Sequence, residues 1–204
     1  MKRILIICLA AAMLLLVSGS ALAGDMLITK IGLNTNGYIN FIPENPPGTP
    51  LDEPVYSGCV ISVEQLFELT NRLEVGYGTE IQFGGSLNIF EYFRGIPVFF
   101  SLYYHPDGVD EPGYYFLGRI GFNLNGYYGI DYYYSYYNFR DPMINGFYCA
   151  AGAGIRLSEY PVIRLEAFFS GNNGTTHYYA SPSDYSAYTR YTKFTIAIGF
   201  GIGN

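Results

Sequence analysis

Between Leu73 and Phe83 the chain changes character at every residue. Leu73, Val75, Tyr77, Thr79, Ile81 and Phe83 alternate with Glu74, Gly76, Gly78, Glu80 and Gln82. Only an extended strand puts alternate side chains on opposite faces, so this is a strand with one apolar and one polar face. The same rhythm runs through Phe116-Gly118-Ile120-Phe122 against Leu117-Arg119-Gly121-Asn123, and through Ile163-Leu165-Ala167-Phe169 against Arg164, Glu166 and Ser170. It closes the chain in Phe194-Ile196-Ile198-Phe200-Ile202 against Lys193, Thr195, Ala197, Gly199 and Gly201. Beyond the N-terminal run no apolar segment reaches helical spanning length.

Placing turn signals between such runs predicts eight strands: Met26–Phe41, Val55–Leu69, Leu73–Phe83, Ile96–Tyr104, Tyr114–Leu124, Asn145–Leu157, Val162–Gly171 and Thr189–Ile202. Three connections are short: Thr70-Asn71-Arg72, His105–Gly113 and Ser158–Pro161. The alternate ones, Pro43–Pro54, Gly84–Gly95, Asn125–Ile144 and Asn172–Tyr188, are long. An even strand count with alternating long and short connections is the pattern of an antiparallel up-and-down transmembrane β-barrel, its short turns on the periplasmic side. Pro97 is expected at the start of strand four, since proline is poorly tolerated in a strand's middle.

The first residues predict export. Lys2-Arg3 precedes an apolar run from Ile4 to Val17, and Ala21-Leu22-Ala23 is a small-x-small cleavage pattern. The run is well short of the roughly 20 residues a spanning helix needs. Residues 1–23 are therefore expected to be a signal peptide cleaved after Ala23, and 24–204 a single barrel domain. Loss of Lys2 and Arg3 leaves nine of the 11 basic residues against 17 acidic ones, a net charge of −8. That balance gives no basic face for nucleic acid. Charged residues make up 14% of the chain, while there are 22 Tyr and 15 Phe. Few charges and many aromatics suit a wall that faces lipid between aromatic belts. Cys59 and Cys149 fall on non-adjacent strands and are expected to be free thiols.

The segments ISVEQLFELTNRLEVGYGTEIQF, CAAGAGIRLS and FTIAIGFGI resemble the bacterial outer-membrane β-barrel domain family, the small OmpA/OmpX-like barrels. The likeness extends over most of residues 26–202. Such barrels end on an aromatic residue read by the barrel-assembly machinery, whereas here Gly201-Ile202-Gly203-Asn204 follows Phe200. The resemblance implies a membrane-embedded barrel, and the chain is expected to be an outer-membrane monomer in contact with lipid and lipopolysaccharide, with the long loops free for an extracellular partner. It transfers no catalytic residue and no cofactor.

Alternation alone does not say which face is inside; a soluble ligand-binding barrel has an apolar lumen. The charges decide the expectation. Glu64, Glu68, Glu74, Glu80 and Glu166 lie on the polar faces, and Lys30, Arg119, Arg156, Arg164 and Lys193 balance them. Acids gather on strands two and three and bases mostly on strands five to eight, so they would meet across a lumen that eight strands leave just wide enough for side chains. Pairs such as Glu64 with Arg164 or Glu80 with Arg156 would fill it, with the inward glycines Gly76, Gly78, Gly152, Gly154, Gly199 and Gly201 making room. No catalytic or metal motif occurs. His105 falls in a periplasmic turn. His177, Ser183 and Asp184 share the last outer loop, the basis for an alternative reading as a lipid-modifying enzyme. A narrow pore is the other alternative. Between strands five and six, Tyr132, Tyr134 and Tyr136 lie on one face of an expected hairpin as a candidate surface contact.

Overall fold

The computed structural model describes residues 26–35, 37–45, 51–55, 57–85, 92–128, 143–180 and 183–203. It contains ten strands: β1 (Met26–Asn34), β2 (Gly37–Asn45), β3 (Leu51–Val55), β4 (Gly58–Thr70), β5 (Leu73–Gly85), β6 (Tyr92–Tyr104), β7 (Gly113–Tyr128), β8 (Met143–Ser158), β9 (Val162–Ala180) and β10 (Ser183–Ile202). No helix occurs among the described residues.

Eight of these strands close a ring. The antiparallel order β1-β4-β5-β6-β7-β8-β9-β10 returns on itself because β1 pairs both with β4 and with β10, from Leu27↔Ile202 to Asn34↔Thr195. Closure removes the open edges that a sheet otherwise exposes. β2 and β3 are the outer continuation of β1 and β4. The β1–β4 ladder ends at Asn34↔Gly58, and the β2–β3 ladder takes up the same register at Gly37↔Val55. The Thr35 amide donates to the Phe194 carbonyl (2.9 Å), bridging the break to β10. The expected first strand is thus one strand in two parts, and the barrel has the eight expected.

Several boundaries differ from expectation: much of Pro43–Pro54 belongs to β2 and β3, β7 runs on to Tyr128, and two further differences have clear physical causes. Asn172–Tyr188 is not a loop: β9 runs on to Ala180 and β10 starts at Ser183, with the ladder continuous from Gly201↔Val162 to Ser183↔Ala180. Thr and Tyr dominate that stretch, and both favour strands. Pro97 lies inside β6, which begins at Tyr92. The β5–β6 ladder accommodates it by stopping at Thr79↔Val98 and resuming at Gln82↔Gly95, where a residue without an amide proton leaves a gap. Pro97 keeps its place opposite Asn123 of β7.

The faces are sharply divided. Leu33, Phe100, Phe122 and Phe169 point outward and are 69–73% exposed, within a belt that includes Ile31, Leu102, Ile120, Ile196 and Ile198. Inward positions hold Lys30, Glu64, Glu80, Arg119, Arg164 and Glu166, each at most 3% exposed. A soluble ligand-binding barrel has the reverse arrangement. An outer surface of this kind belongs in hydrocarbon, where a closed barrel satisfies its backbone groups internally. The three short turns and the ends of the barrel at Met26 and Gly203 share one end. At the other, β9 (19 residues) and β10 (20 residues) far exceed the roughly 9–11 that span a bilayer.

The outward belt makes a direct prediction. Phe100→Arg, near mid-height, should destabilise the barrel in lipid vesicles by about 2–4 kcal/mol, and Tyr104→Arg at the rim by about 0–1 kcal/mol. Urea unfolding measures both, and equal costs would contradict the depth assignment.

Candidate functional site

Period two sends Lys30 of β1, Glu64 of β4, Arg119 of β7 and Glu166 of β9 into the lumen at one height. Lys30 Nζ donates to Glu64 Oε1 (2.8 Å) and Glu166 Oε1 (2.7 Å). Arg119 Nη2 donates to Glu64 Oε1 (2.6 Å) and Glu166 Oε2 (3.0 Å). Two cations and two carboxylates therefore form a closed, neutral ring of ion pairs. Tyrosines complete it: Lys30 also donates to Tyr103 Oη (2.8 Å), Tyr103 donates to Glu64 Oε2, and Tyr115 donates to Glu166 Oε1 (3.0 Å). Buried charges persist only when paired and hydrogen-bonded in this way.

The arginines are also held by ring faces. The Arg119 guanidinium lies 4.9 Å from the Phe99 centroid and 4.5 Å from that of Phe168. Arg164 lies 5.4 Å from Tyr103 and 5.2 Å from Tyr115. A planar cation between two aromatic faces loses little rotamer freedom beyond what the rings already impose, and the ring quadrupoles favour it. Glycine makes space for these groups. A Cβ at Gly78 would come within 2.6 Å of Glu64 Cγ, and one at Gly154 would collide with the Tyr115 ring.

Toward the short turns, Arg164 Nη2 grips both oxygens of Glu74 (2.8 and 2.7 Å), and His105 Nε2 meets Glu74 Oε2 at 2.7 Å. Among the described residues Arg156 has no carboxylate within ion-pair distance. It donates to the backbone carbonyls of Val109, Ser158 and Glu159, tying two turns to the barrel mouth. A cavity of about 440 Å³ opens there, lined in part by Leu66, Glu68, Val109, Arg156, Glu159 and Val162. Toward the long connections, Glu80 stands 3.5 Å from Arg119 Nη1 and 3.8 Å from Lys193 Nζ, and accepts from the Gln82 amide.

Nine of the ten expected lumen charges are thus buried inside. Glu68 is the exception. It is exposed at the end of β4, where the mouth meets solvent and a carboxylate needs no partner. The proposed pairs also exchange partners: Glu64 takes Lys30 and Arg119 instead of Arg164, and Glu80 takes Arg119 and Lys193 instead of Arg156. His105, expected as a turn residue, is 1% exposed and part of the network. Tyr103, Tyr115 and Tyr148 were missed as lumen residues. Tyrosine suits a lipid belt and a polar lumen equally, so composition does not place it. The signal was period two: Phe99, Ser101, Tyr103 and His105 alternate with the apolar Val98, Phe100, Leu102 and Tyr104.

His177, Ser183 and Asp184 lie on two paired strands instead of in one loop. Backbone register sets them opposite Ser186, Ala180 and Tyr179 respectively. Tyr132, Tyr134 and Tyr136 lie outside the described residues. Cys59 and Cys149 are free. Among the described residues no group of three or more His, Cys, Asp and Glu side chains could hold a metal.

No family model matches the sequence. No curated protein matches it either. Solved structures do. The outer membrane protein OprG from Pseudomonas aeruginosa superposes with a TM-score of 0.50 at 11% identity, over 89% of this chain and 97% of that one. Neisserial surface protein A gives 0.49 at 10% identity over 87% and 97%, and the N-terminal β-barrel domain of P. aeruginosa OprF 0.43 at 11% over 88% and 98%. At this identity the likeness is one of fold, that of small outer-membrane β-barrels.

The ring of ion pairs should behave as a unit. Lys30→Met leaves one carboxylate unmatched and should cost about 3–5 kcal/mol. Adding Glu166→Gln restores neutrality, so the double variant should be clearly more stable than the sum of the single losses. Guanidinium unfolding of the four proteins in vesicles measures the coupling; additive losses would mean that the charges act independently.

Proposed function

We propose that this chain is an exported, monomeric outer-membrane barrel with a structural or surface-interaction role, its signal peptide cleaved after Ala23 and its lumen permanently closed. The observation that carries this reading is the span of the central cluster. Its members come from β1, β4, β6, β7 and β9, strands distributed around the whole ring, so their side chains cross the lumen from wall to wall. Opening a path would pull apart buried ions that hold one another, which is far costlier than keeping them paired. A protein built this way acts through its outer end. The long connections face away from the short turns, and lipid, lipopolysaccharide and the assembly machinery are the partners its surface implies.

Reconstituted in a planar bilayer, the protein should show no stable unit conductance. Steady, ion-selective openings would replace this reading with the narrow pore, and a lipid A profile that changes on deletion of the gene would replace it with the lipid-modifying enzyme.

The surface role falls to the tyrosine-rich segment between β7 and β8. Tyrosine combines a large apolar face with a hydroxyl, the chemistry enriched at recognition surfaces. Replacing Tyr132, Tyr134 and Tyr136 together with Ser should weaken cell-surface adhesion while leaving barrel yield and heat-modifiable gel mobility intact. Failure of the triple variant to assemble would assign these tyrosines a structural role.

A further inference from the structure

In the central ring Lys30, Glu64, Glu166, Tyr103 and Tyr115 all have hydrogen-bond partners. Ser101 Oγ, the Gln65 amide and two nitrogens of Arg164 lack partners elsewhere in the barrel, and the largest such set lies one tier outward. Glu80 Oε2, Gln82 Oε1, both amide atoms of Asn123, Lys193 Nζ and the outer guanidinium nitrogen of Arg119 have no hydrogen-bond partner among the described residues. Every one of these residues is at most 3% exposed.

These groups converge from β5, β7 and β10. Glu80 lies 3.5 Å from Arg119 and 3.8 Å from Lys193, and Gln82 donates to it. The Tyr148 ring packs on Phe99 at 5.7 Å, and Arg119 stacks on that same Phe99. Asn123 is four residues outward of Arg119 on the same inward face of β7. Buried polar groups are rarely left without partners, and so dense a set calls for a group that satisfies them.

The chemistry of the filling follows from the charges. Lys193 balances Glu80, and the central ring is neutral by itself, so an ion of either sign would be uncompensated in a low-dielectric space. Lys193, the Asn123 amide nitrogen and Arg119 need acceptors. Glu80, Gln82 and the Asn123 oxygen need donors, and the Tyr148 hydroxyl can serve as either. An uncharged group that donates and accepts through one atom meets both demands, and that group is a hydroxyl. We infer that the outer half of the lumen is a binding tier for hydroxyl groups, supplied by a small uncharged polyol of glycerol size or by water. The Arg119 stack and the ion-pair ring close it from below. The inference concerns the tier alone and holds whatever partner the outer surface has.

The test is nuclear Overhauser spectroscopy on the ¹⁵N-labelled full barrel in lipid nanodiscs, with and without glycerol, reading the side-chain amide protons of Asn123 and Gln82. Saturable cross-peaks to glycerol C–H protons identify a polyol site. Strong water cross-peaks that glycerol leaves unchanged identify water as the source of the same hydroxyl chemistry. In either case Asn123→Leu, which removes two anchoring groups, should lower the urea midpoint. The inference is overturned if both amides show cross-peaks to protein protons alone. It is equally overturned if Asn123→Leu raises the midpoint, as expected where a side chain merely sheds unsatisfied atoms. Should that variant not assemble, Gln82→Met carries the same comparison.

Discussion

Lys30, Arg119, Glu64 and Glu166 meet inside a ring of eight strands, and the rest of the molecule is arranged around keeping them together. Each ion has lost its water, so each depends on the others. The two lysine contacts and the two arginine contacts bind both carboxylates from both sides, and Tyr103 and Tyr115 occupy further lone pairs. Removing water from this space strengthens the attraction and raises the cost of any broken contact at the same time. The cluster therefore joins five strands that are distant in sequence into one cross-braced section.

The wall follows from the same constraint. With charges inside, every second residue of each strand is left for the exterior, and in lipid that exterior must be apolar. A one-residue slip in any ladder would send a strand's charges into hydrocarbon and its Phe and Ile into the ion-pair ring, so the register is held strongly by both faces. The inward glycines are the geometric complement. Tyr115 can lie across the lumen only because Gly154 faces it without a side chain, and Gly152 leaves room for the backbone of Phe168 on the adjoining strand. Pro97 shows how much the wall tolerates: two positions of the β5–β6 ladder are unpaired beside it, yet the register on either side is unchanged.

Period two made most of this architecture legible. Eight strands and their order follow from alternation and turn spacing, and the balance of acids against bases says which face, with nine of the buried charges, is inside. What did not follow has identifiable physical reasons. Glu68 obeys the alternation but lies at the mouth, and depth along a strand is invisible to a two-residue period. The pairing of Glu74 with Arg164 and His105 depends on how the strands stagger around the ring, which no single strand encodes. Tyr103 and Tyr148 escaped because tyrosine is at home on either face. The extension of β9 and β10 does not follow because Asn172, Asn173 and Gly174 look like a turn, whereas their partners on β10, Thr189 opposite Gly174 among them, continue the ladder straight through.

Charge fills the interior of the barrel and apolar side chains face lipid. Methyl-labelled protein in bilayers containing spin-labelled lipid reports this directly, since only groups touching the hydrocarbon are broadened. The methyls of Leu33, Leu102, Ile120 and Ile196, all half-exposed or more, should be strongly attenuated, and those of Ile28, Leu66 and Leu117, at most 5% exposed, should not. Equal attenuation of the two sets, or broadening confined to the second, would contradict the account.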